Sequence, residues 1–402
     1  MNDHMFDRRE LFKKAAVTGV GMGALASGSA LAQAAPDAES APVPRKKLGS
    51  TGEDIPILLL GGGEGYDMTY DKVLHRALKD GVNYIDTALS YANGKSHESV
   101  GVFVEQVADR KKLWITSKVW KTTNTVLPEA YSAPLPKILA SLKTDYLDMF
   151  FMHGIQNPRV LDPEFLKMAD DLKKSGTIRY FGFSCHDGTV VELLNKAASI
   201  GSDAINAIMF RYSFAQYGNT ELNKAMDACK KAGIGLIAMK TQDSVPADQE
   251  NVVGFESKNF TLPQAKLKAV WADERIDAAV SHINTTDKLR DNVAAAKSPV
   301  QLSMNEFMQL NRLAALTSSY RCKGCSQICE SRIDGDLKVA DTLRYLMYHE
   351  SYGRHGEARE KFARLTPTQR DFSGIDLSAA TAACPQGIDI AARLRKAHEA
   401  LA

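Results

Sequence analysis

Alternation is what most narrows the folds open to this chain. From Ile55 to Lys297, short apolar runs rich in Val, Ile and Phe alternate with amphipathic stretches of helical length. The pattern predicts strands at Ile55–Leu60, Asn83–Thr87, Leu113–Lys118, Tyr146–His153, Ile178–Ser184, Ala204–Arg211, Gly235–Lys240 and Ile276–His282. Helices are expected at Tyr70–Asp80, His97–Ala108, Pro163–Ser175, Thr189–Ile200, Glu221–Ala232 and Asp287–Lys297. Several of them stop at a glycine, as at Gly81, Gly176 and Gly233, which suits a left-handed residue just past a helix end. Eight strand–helix units in roughly 250 residues have the size and order of a (β/α)8 TIM barrel. An open, doubly wound sheet alternates in the same way, so the chemistry at the strand ends has to separate the two.

The chain has 402 residues, enough for two or three domains. Its 50 basic and 48 acidic residues give a formal net charge of +2. That balance supplies no field for nucleic acid or for an anionic membrane surface. Six cysteines are too few to staple a chain of this size, so their positions carry the information.

The first 34 residues read as an address. Arg8-Arg9 precede an uncharged stretch rich in Ala and Gly, from Ala15 to Ala32, which closes on Ala32-Gln33-Ala34. A stretch of ~18–20 apolar residues can also anchor a chain in a membrane. The glycines and the small-residue exit favour cleavage before Ala35 instead, so no stable anchor is expected. Gly19-Val20-Gly21-Met22-Gly23 imitates part of a dinucleotide fingerprint, but no strand precedes it. The leader resembles a twin-arginine (Tat) export signal. That resemblance implies the Tat machinery as a partner, a periplasmic destination, and a cofactor loaded before export. Residues 35–44 read as a linker, 45–300 as the barrel and 301–402 as a second domain.

A barrel of this kind works at the C-terminal ends of its strands. There the sequence places Asp86, Tyr91 five residues on, Lys118 and His153. Taken singly, Asp86 reads as a cap, Lys118 as a solvated charge and His153 as a satisfied rim histidine. Together they form a proton-transfer device. Lys118 is expected to lower the pKa of the Tyr91 phenol, and Asp86 to hold the buried ammonium. His153 would orient a substrate oxygen, and Tyr91 would act as general acid or base on a small carbonyl or alcohol.

From about Arg45 to Lys297 the chain resembles the aldo/keto reductase family. The resemblance rests on Asn83-Tyr84-Ile85-Asp86-Thr87-Ala88 with Tyr91, on Ile115-Thr116-Ser117-Lys118, on Tyr146–His153, and on Gly176–Ser184. Arg45–Gly52 is similar to that family's hairpin across the barrel bottom. The resemblance implies a TIM barrel, Asp86, Tyr91, Lys118 and His153 as catalytic tetrad, and NADP or NAD as cofactor. It places Ser184, Lys240, His282, Lys288 and Asn292 along the dinucleotide. Here Cys185 and His186 follow Ser184, Met209 replaces a glutamine, and Met239 replaces the aromatic that stacks on nicotinamide. Lys288 stands for an arginine that meets the 2′-phosphate, and His282 for a lysine.

The tail carries Cys322, Cys325, Cys329 and Cys384 as Cys-x2-Cys-x3-Cys followed by a distant Cys-Pro. Four thiolates in such a pattern suit one [4Fe-4S] cluster. Structural zinc and disulfides are the alternatives. A loaded cofactor agrees better with the export signal. The tail resembles the iron–sulfur branch of the family, which implies a mainly α-helical, ferredoxin-like extension; that branch usually spaces its first three cysteines as Cys-x2-Cys-x2-Cys. Helical patterns run through Leu337–His349 and on through Glu350–Arg364, interrupted by Gly353 and Gly356. Cys185 and Cys229 are expected as buried packing, with Cys185 close enough to the cofactor face to be a functional thiol. The combined expectation is an exported oxidoreductase with a periplasmic redox partner. An electron-transfer or assembly subunit that keeps the barrel as scaffold is the alternative, and a cytoplasmic reductase is a third reading.

Overall fold

A computed structural model describes residues 41–120, 126–185, 188–242 and 245–402. The leader, residues 1–34, and His186 lie outside the described residues. Among those described, no helix is long and apolar enough to cross a membrane.

The chain begins with an antiparallel pair, β1 (Arg45–Lys47) and β2 (Asp54–Pro56). Eight parallel strands then close on themselves: β3 (Leu58–Gly61), β4 (Tyr84–Asp86), β5 (Trp114–Trp120), β6 (Leu147–His153), β7 (Ile178–Cys185), β8 (Ala207–Arg211), β9 (Gly235–Met239) and β10 (Ala278–His282). Strand β10 pairs with β3, which makes the sheet a barrel and excludes the open doubly wound alternative. The single strand expected at Ile55–Leu60 is two. Pro56 ends the hairpin, whose partner is β1, and the barrel begins at Leu58.

A helix follows each barrel strand: α1 (Lys72–Lys79), α2 (Lys95–Gln106), α3 (Leu135–Leu142), α4 (Pro163–Lys174), α5 (Val190–Ile200), α6 (Thr220–Lys231), α7 (Leu262–Trp271) and α8 (Thr286–Lys297). Side-chain caps start several of them, such as Asp71 on Leu74 N and Asn219 on Leu222 N. Period-two alternation sends one strand face inward, where Leu59, Met149, Phe151, Met209 and Ile237 fill the barrel. The other face packs under the helices in the larger apolar layer. Gly182 has no room for a side chain, because a Cβ there would lie 1.9 Å from the Ala207 carbonyl oxygen on β8.

The hairpin seals the bottom, as its resemblance implied. Leu48 is fully buried, Ser50 N donates to Gly233 O at 2.8 Å, and a stack of Tyr84, Trp114 and Tyr180 lies above it.

Beyond the barrel, α9 (Met304–Leu316) packs on its outer wall against Phe214 and Phe260. The rest of the tail is helical. It comprises α10 (Val339–Glu350), α11 (His355–Ala363), α12 (Ile390–Leu401) and several single turns, with two small apolar cores of its own. The interruption expected around Gly353 is real: that residue has φ +66° between α10 and α11.

Candidate active site at the barrel mouth

Strand register delivers the tetrad. Asp86 pairs across to Thr116, and Trp120 to His153, so Thr116, Lys118 and Trp120 share the inward face of β5. His153 ends β6 on the same inward face as Met149 and Phe151. Tyr91 comes from the loop after β4, where it opens a turn whose next two residues, Ala92 and Asn93, have φ of +47° and +55°. That left-handed pair turns the chain sharply into α2.

Lys118 Nζ donates to Asp86 Oδ1 at 2.6 Å and to the Thr87 carbonyl at 2.8 Å. Both side chains are almost wholly buried. Burial pushes the Asp86 carboxyl up and the Lys118 ammonium down, each opposed by the charge of the other. The ammonium stands 4.7 Å from the centre of the Tyr91 ring, and His153 meets that ring edge-on at 5.5 Å. Trp120 backs His153 at 5.5 Å. All four expected residues therefore converge.

One expectation about them is corrected. Lys118 was expected to lower the Tyr91 pKa, but burial, followed by the charge of Asp86, raises it well above the ordinary phenol value. The cation lies against the ring face and is already neutralised by Asp86, so desolvation decides. A phenol held protonated in this way keeps a proton to donate but is a weaker acid than a free phenol.

The residues placed along a dinucleotide divide into two groups. Ser184 is fully buried at the end of β7, where its Oγ accepts from Gly154 N at 2.9 Å. His282, Lys288 and Asn292 gather where β10 meets α8. Lys288 Nζ donates to Asn284 Oδ1 at 2.9 Å, and Asn292 Nδ2 donates to Ser281 Oγ at 2.8 Å, which ties the asparagine to the strand. His282 Nε2 lies 3.0 Å from Glu64, a carboxylate that also meets Arg354 at 2.9 Å and Asn284 at 3.0 Å. The His282 hydrogen bond pulls Glu64 down to about 2, against its burial. Met209 fills the barrel interior, while Met239 is partly buried at its edge.

Sequence reasoning missed Glu64, Trp120 and the whole contribution of the tail. Trp120 could have been found, since it lies two residues past Lys118 on the same face. Glu64 follows Gly61-Gly62-Gly63 at a strand end, a signal of close approach by another segment. That segment is the tail. Arg344 stands 5.8 Å over the Trp120 ring, and Tyr348 and Tyr352 lie within 5.2 Å of Lys240 Nζ. Arg354 approaches Gly63 and pairs with Glu64. The turn from α10 to α11 is thus a roof across the mouth.

The tail also docks on the rim after β7 and β8. Gly188 N donates to Gly324 O at 3.3 Å, and Arg211 Nη1 to Cys322 O at 2.7 Å. A Cβ on Gly188 would lie 2.5 Å from the Cys325 Cα, so only glycine admits this contact. Behind it, Cys322, Cys325, Cys329 and Cys384 line a single cavity with Val339, Leu343, Ile388 and Ile390. All four are free thiols; Cys185 and Cys229 are both buried. Burial raises the Cys325 thiol and pushes Cys322 up to about 11 and Cys329 up to about 12. Among the described residues, no group of three or more His, Cys, Asp or Glu is close enough to hold a metal ion. Cys229 donates to Leu194 O at 3.3 Å, which fits its packing role.

The fold and its mouth define a (β/α)8 barrel equipped to pass a proton at a buried phenol. A model of the aldo/keto reductase family matches residues 61–244. "Uncharacterized oxidoreductase YqkF" of Bacillus subtilis is 24% identical over 292 residues, which is 63% of this chain and 91% of that protein. Glyoxal reductase of the same organism is 33% identical over 163 residues, or 40% of this chain and 54% of the enzyme. The crystal structure of a thermostable aldo-keto reductase, bound to the inhibitor epalrestat, superposes with a TM-score of 0.55. It has 28% identity, and the match covers 67% of this chain and 99% of that one. Over its barrel, the chain is similar to the aldo/keto reductase family of oxidoreductases.

Proposed function

We propose that this protein is an exported enzyme that interconverts a small carbonyl compound and its alcohol, using a nicotinamide dinucleotide. The observation that carries this reading is the convergence of Tyr91, Lys118, Asp86 and His153 at the barrel mouth. In the reducing direction Tyr91 donates its proton to the substrate oxygen, which His153 helps to orient. The Lys118–Asp86 pair holds the phenol in place from below. Nicotinamide, when bound, supplies the hydride. Ser184, His282 and Lys288 are the residues this reading assigns to the dinucleotide; Asn292 supports them by bracing β10.

The tail cysteines are proposed to carry an iron–sulfur cluster. One ion held by thiolates at about 2.3 Å would draw its sulfurs to about 3.8 Å from one another. No such tight group occurs among the described residues, so the thiols as folded are not gathered around a metal ion of either kind, iron or zinc. What supports a shared group over disulfides is that the four free thiols ring a single cavity. Such a cluster supplies one-electron exchange. The twin-arginine leader supports export after loading, into the periplasm.

The roofed mouth favours one rival, an electron-transfer or assembly subunit whose barrel no longer turns over substrate. Protein expressed in the cytoplasm and purified anaerobically decides between them. It is assayed for iron, sulfide, zinc and bound nicotinamide, and then for oxidation of NADPH or NADH by small aldehydes. Turnover that Tyr91→Phe abolishes supports the enzyme. Iron and sulfide without dinucleotide or turnover supports the rival, and protein with no iron removes the cluster.

A further inference from the structure

Lys240 is a charge at the mouth that the proton-transfer residues do not use. It follows β9 with φ +57°, a left-handed conformation that side-chain-bearing residues adopt seldom and mostly for a reason. Its ammonium lies 5.2 Å from the centre of the Tyr348 ring and 5.0 Å from that of Tyr352. Among the described residues, no carboxylate or hydrogen-bond acceptor meets it. The charges that bear on it are mostly of its own sign: Arg211 from β8, and Arg344 and Arg354 from the tail, with Glu357 opposing them. Burial, and then these arginines, pull the lysine down to about 7. A cation held in such company is stabilised by an incoming anion, which relieves the repulsion.

We propose that Lys240, set against the stacked rings of Tyr348 and Tyr352, binds a carboxylate carried by the substrate, so that the tail selects anionic carbonyl compounds for the barrel. The site lies on the same mouth as Tyr91, whose phenol senses Tyr348, Arg354 and Glu357. The ammonium provides the charge, the Tyr348 and Tyr352 rings, stacked on each other with centroids 5.9 Å apart, form one aromatic wall beside it, and Trp120 with His153 lines the reacting side. This inference rests on the carbonyl-reducing reading, but its test does not require turnover.

The probes are 4-carboxybenzaldehyde and benzaldehyde, titrated against the full-length protein by tryptophan fluorescence at pH 6.5. The acid is expected to bind at least tenfold tighter than the neutral aldehyde. Lys240→Met should bring that ratio close to one, and Tyr352→Leu should lower it severalfold. Lys240→Arg provides the check on folding and on charge. The wild-type preference should fade between pH 6.5 and 9, while the arginine variant keeps it. Histidines near the mouth, His153 and His282 included, are common to both proteins, as are Arg211, Arg344, Arg354 and Glu357, so a difference between the two reports Lys240. Equal binding of the two aldehydes by wild type overturns the proposal, as does a preference that survives Lys240→Met. NADPH titrated in parallel separates the other source of negative charge. If Lys240→Met weakens NADPH tenfold and leaves the aldehyde ratio intact, the lysine grips a cofactor phosphate and the proposal fails. Failure of carbonyl reduction alone would sink the enzyme reading and leave these binding ratios to decide this one.

Discussion

The mouth of the barrel and the cysteine cavity of the tail adjoin, yet they are built on opposite principles. At the mouth, strand register alone brings Lys118 to Asp86 and Tyr91, and the buried pair satisfies itself at 2.6 Å. In the tail, four thiols face one cavity with burial raising three of them, and they are not drawn into a tight group. The first site is complete as folded. The second is proposed to take an occupant, which would have to draw off the thiol protons that burial retains. A site set by sheet geometry should tolerate loss of its ligand, whereas one set by its ligand should not.

The sharpest way to break the comparison is Tyr91→Phe. It keeps the ring packing on Lys118 and His153, and should lower kcat for carbonyl reduction by about 10²–10⁴-fold, the range for a lost general acid. Unchanged melting would confirm that only the proton was removed. Lys118→Met should act on stability as well as rate. It strands a buried Asp86, and breaking a buried pair in this way costs about 3–5 kcal/mol. Urea denaturation checks this, and adding Asp86→Asn should recover much of the loss. Cys384→Ser addresses the other half of the contrast. Iron and sulfide should fall below about a tenth of the wild-type content, and the tail should become sensitive to protease while the barrel keeps its resistance. Equal sensitivity of barrel and tail would erase the distinction between the two sites.

The smallest effect concerns the seam between them. Glu64 is held down at about 2 by His282, from an ordinary value of 4.5. A depressed carboxyl adds stability that is present above its unfolded value and is lost as pH falls through the folded one. Glu64→Gln should therefore flatten the loss of stability between about pH 4.5 and 2. The carboxylate is more than a third exposed, so solvent screening limits the effect to about 1 kcal/mol.

What was legible followed from local pattern. The eight units and the tetrad could be read because strand period and loop length are properties of neighbouring residues. Two of the barrel's helices escaped. In α3, prolines at Pro128 and Pro134 obscure an otherwise apolar face, whereas α7 announces itself by a Thr261–Gln264 capping box that could have been recognised. The cysteine pattern was visible, and so was helix in the tail. The place where the tail lies was not. Arg354 meets Glu64 and Tyr348 meets Lys240 across long stretches of sequence, and no periodicity encodes such encounters. The Tyr91 acidity was misjudged for a related reason. The charge of Lys118 could be read from the sequence, but the depth of burial could not.

The roof is held by residues that are made late. Glu350, at the end of α10, is gripped by Arg393 at 2.6 Å and Lys396 at 2.8 Å, and Leu346 packs with Ala397 and Leu401. Ribosomes must therefore release α12 before the mouth of a barrel finished some hundred residues earlier can be covered. Until then a nascent chain would carry its tetrad uncovered, without the tail's tyrosines and arginines, and translation that stopped short of α12 would leave a reaction site with no selectivity.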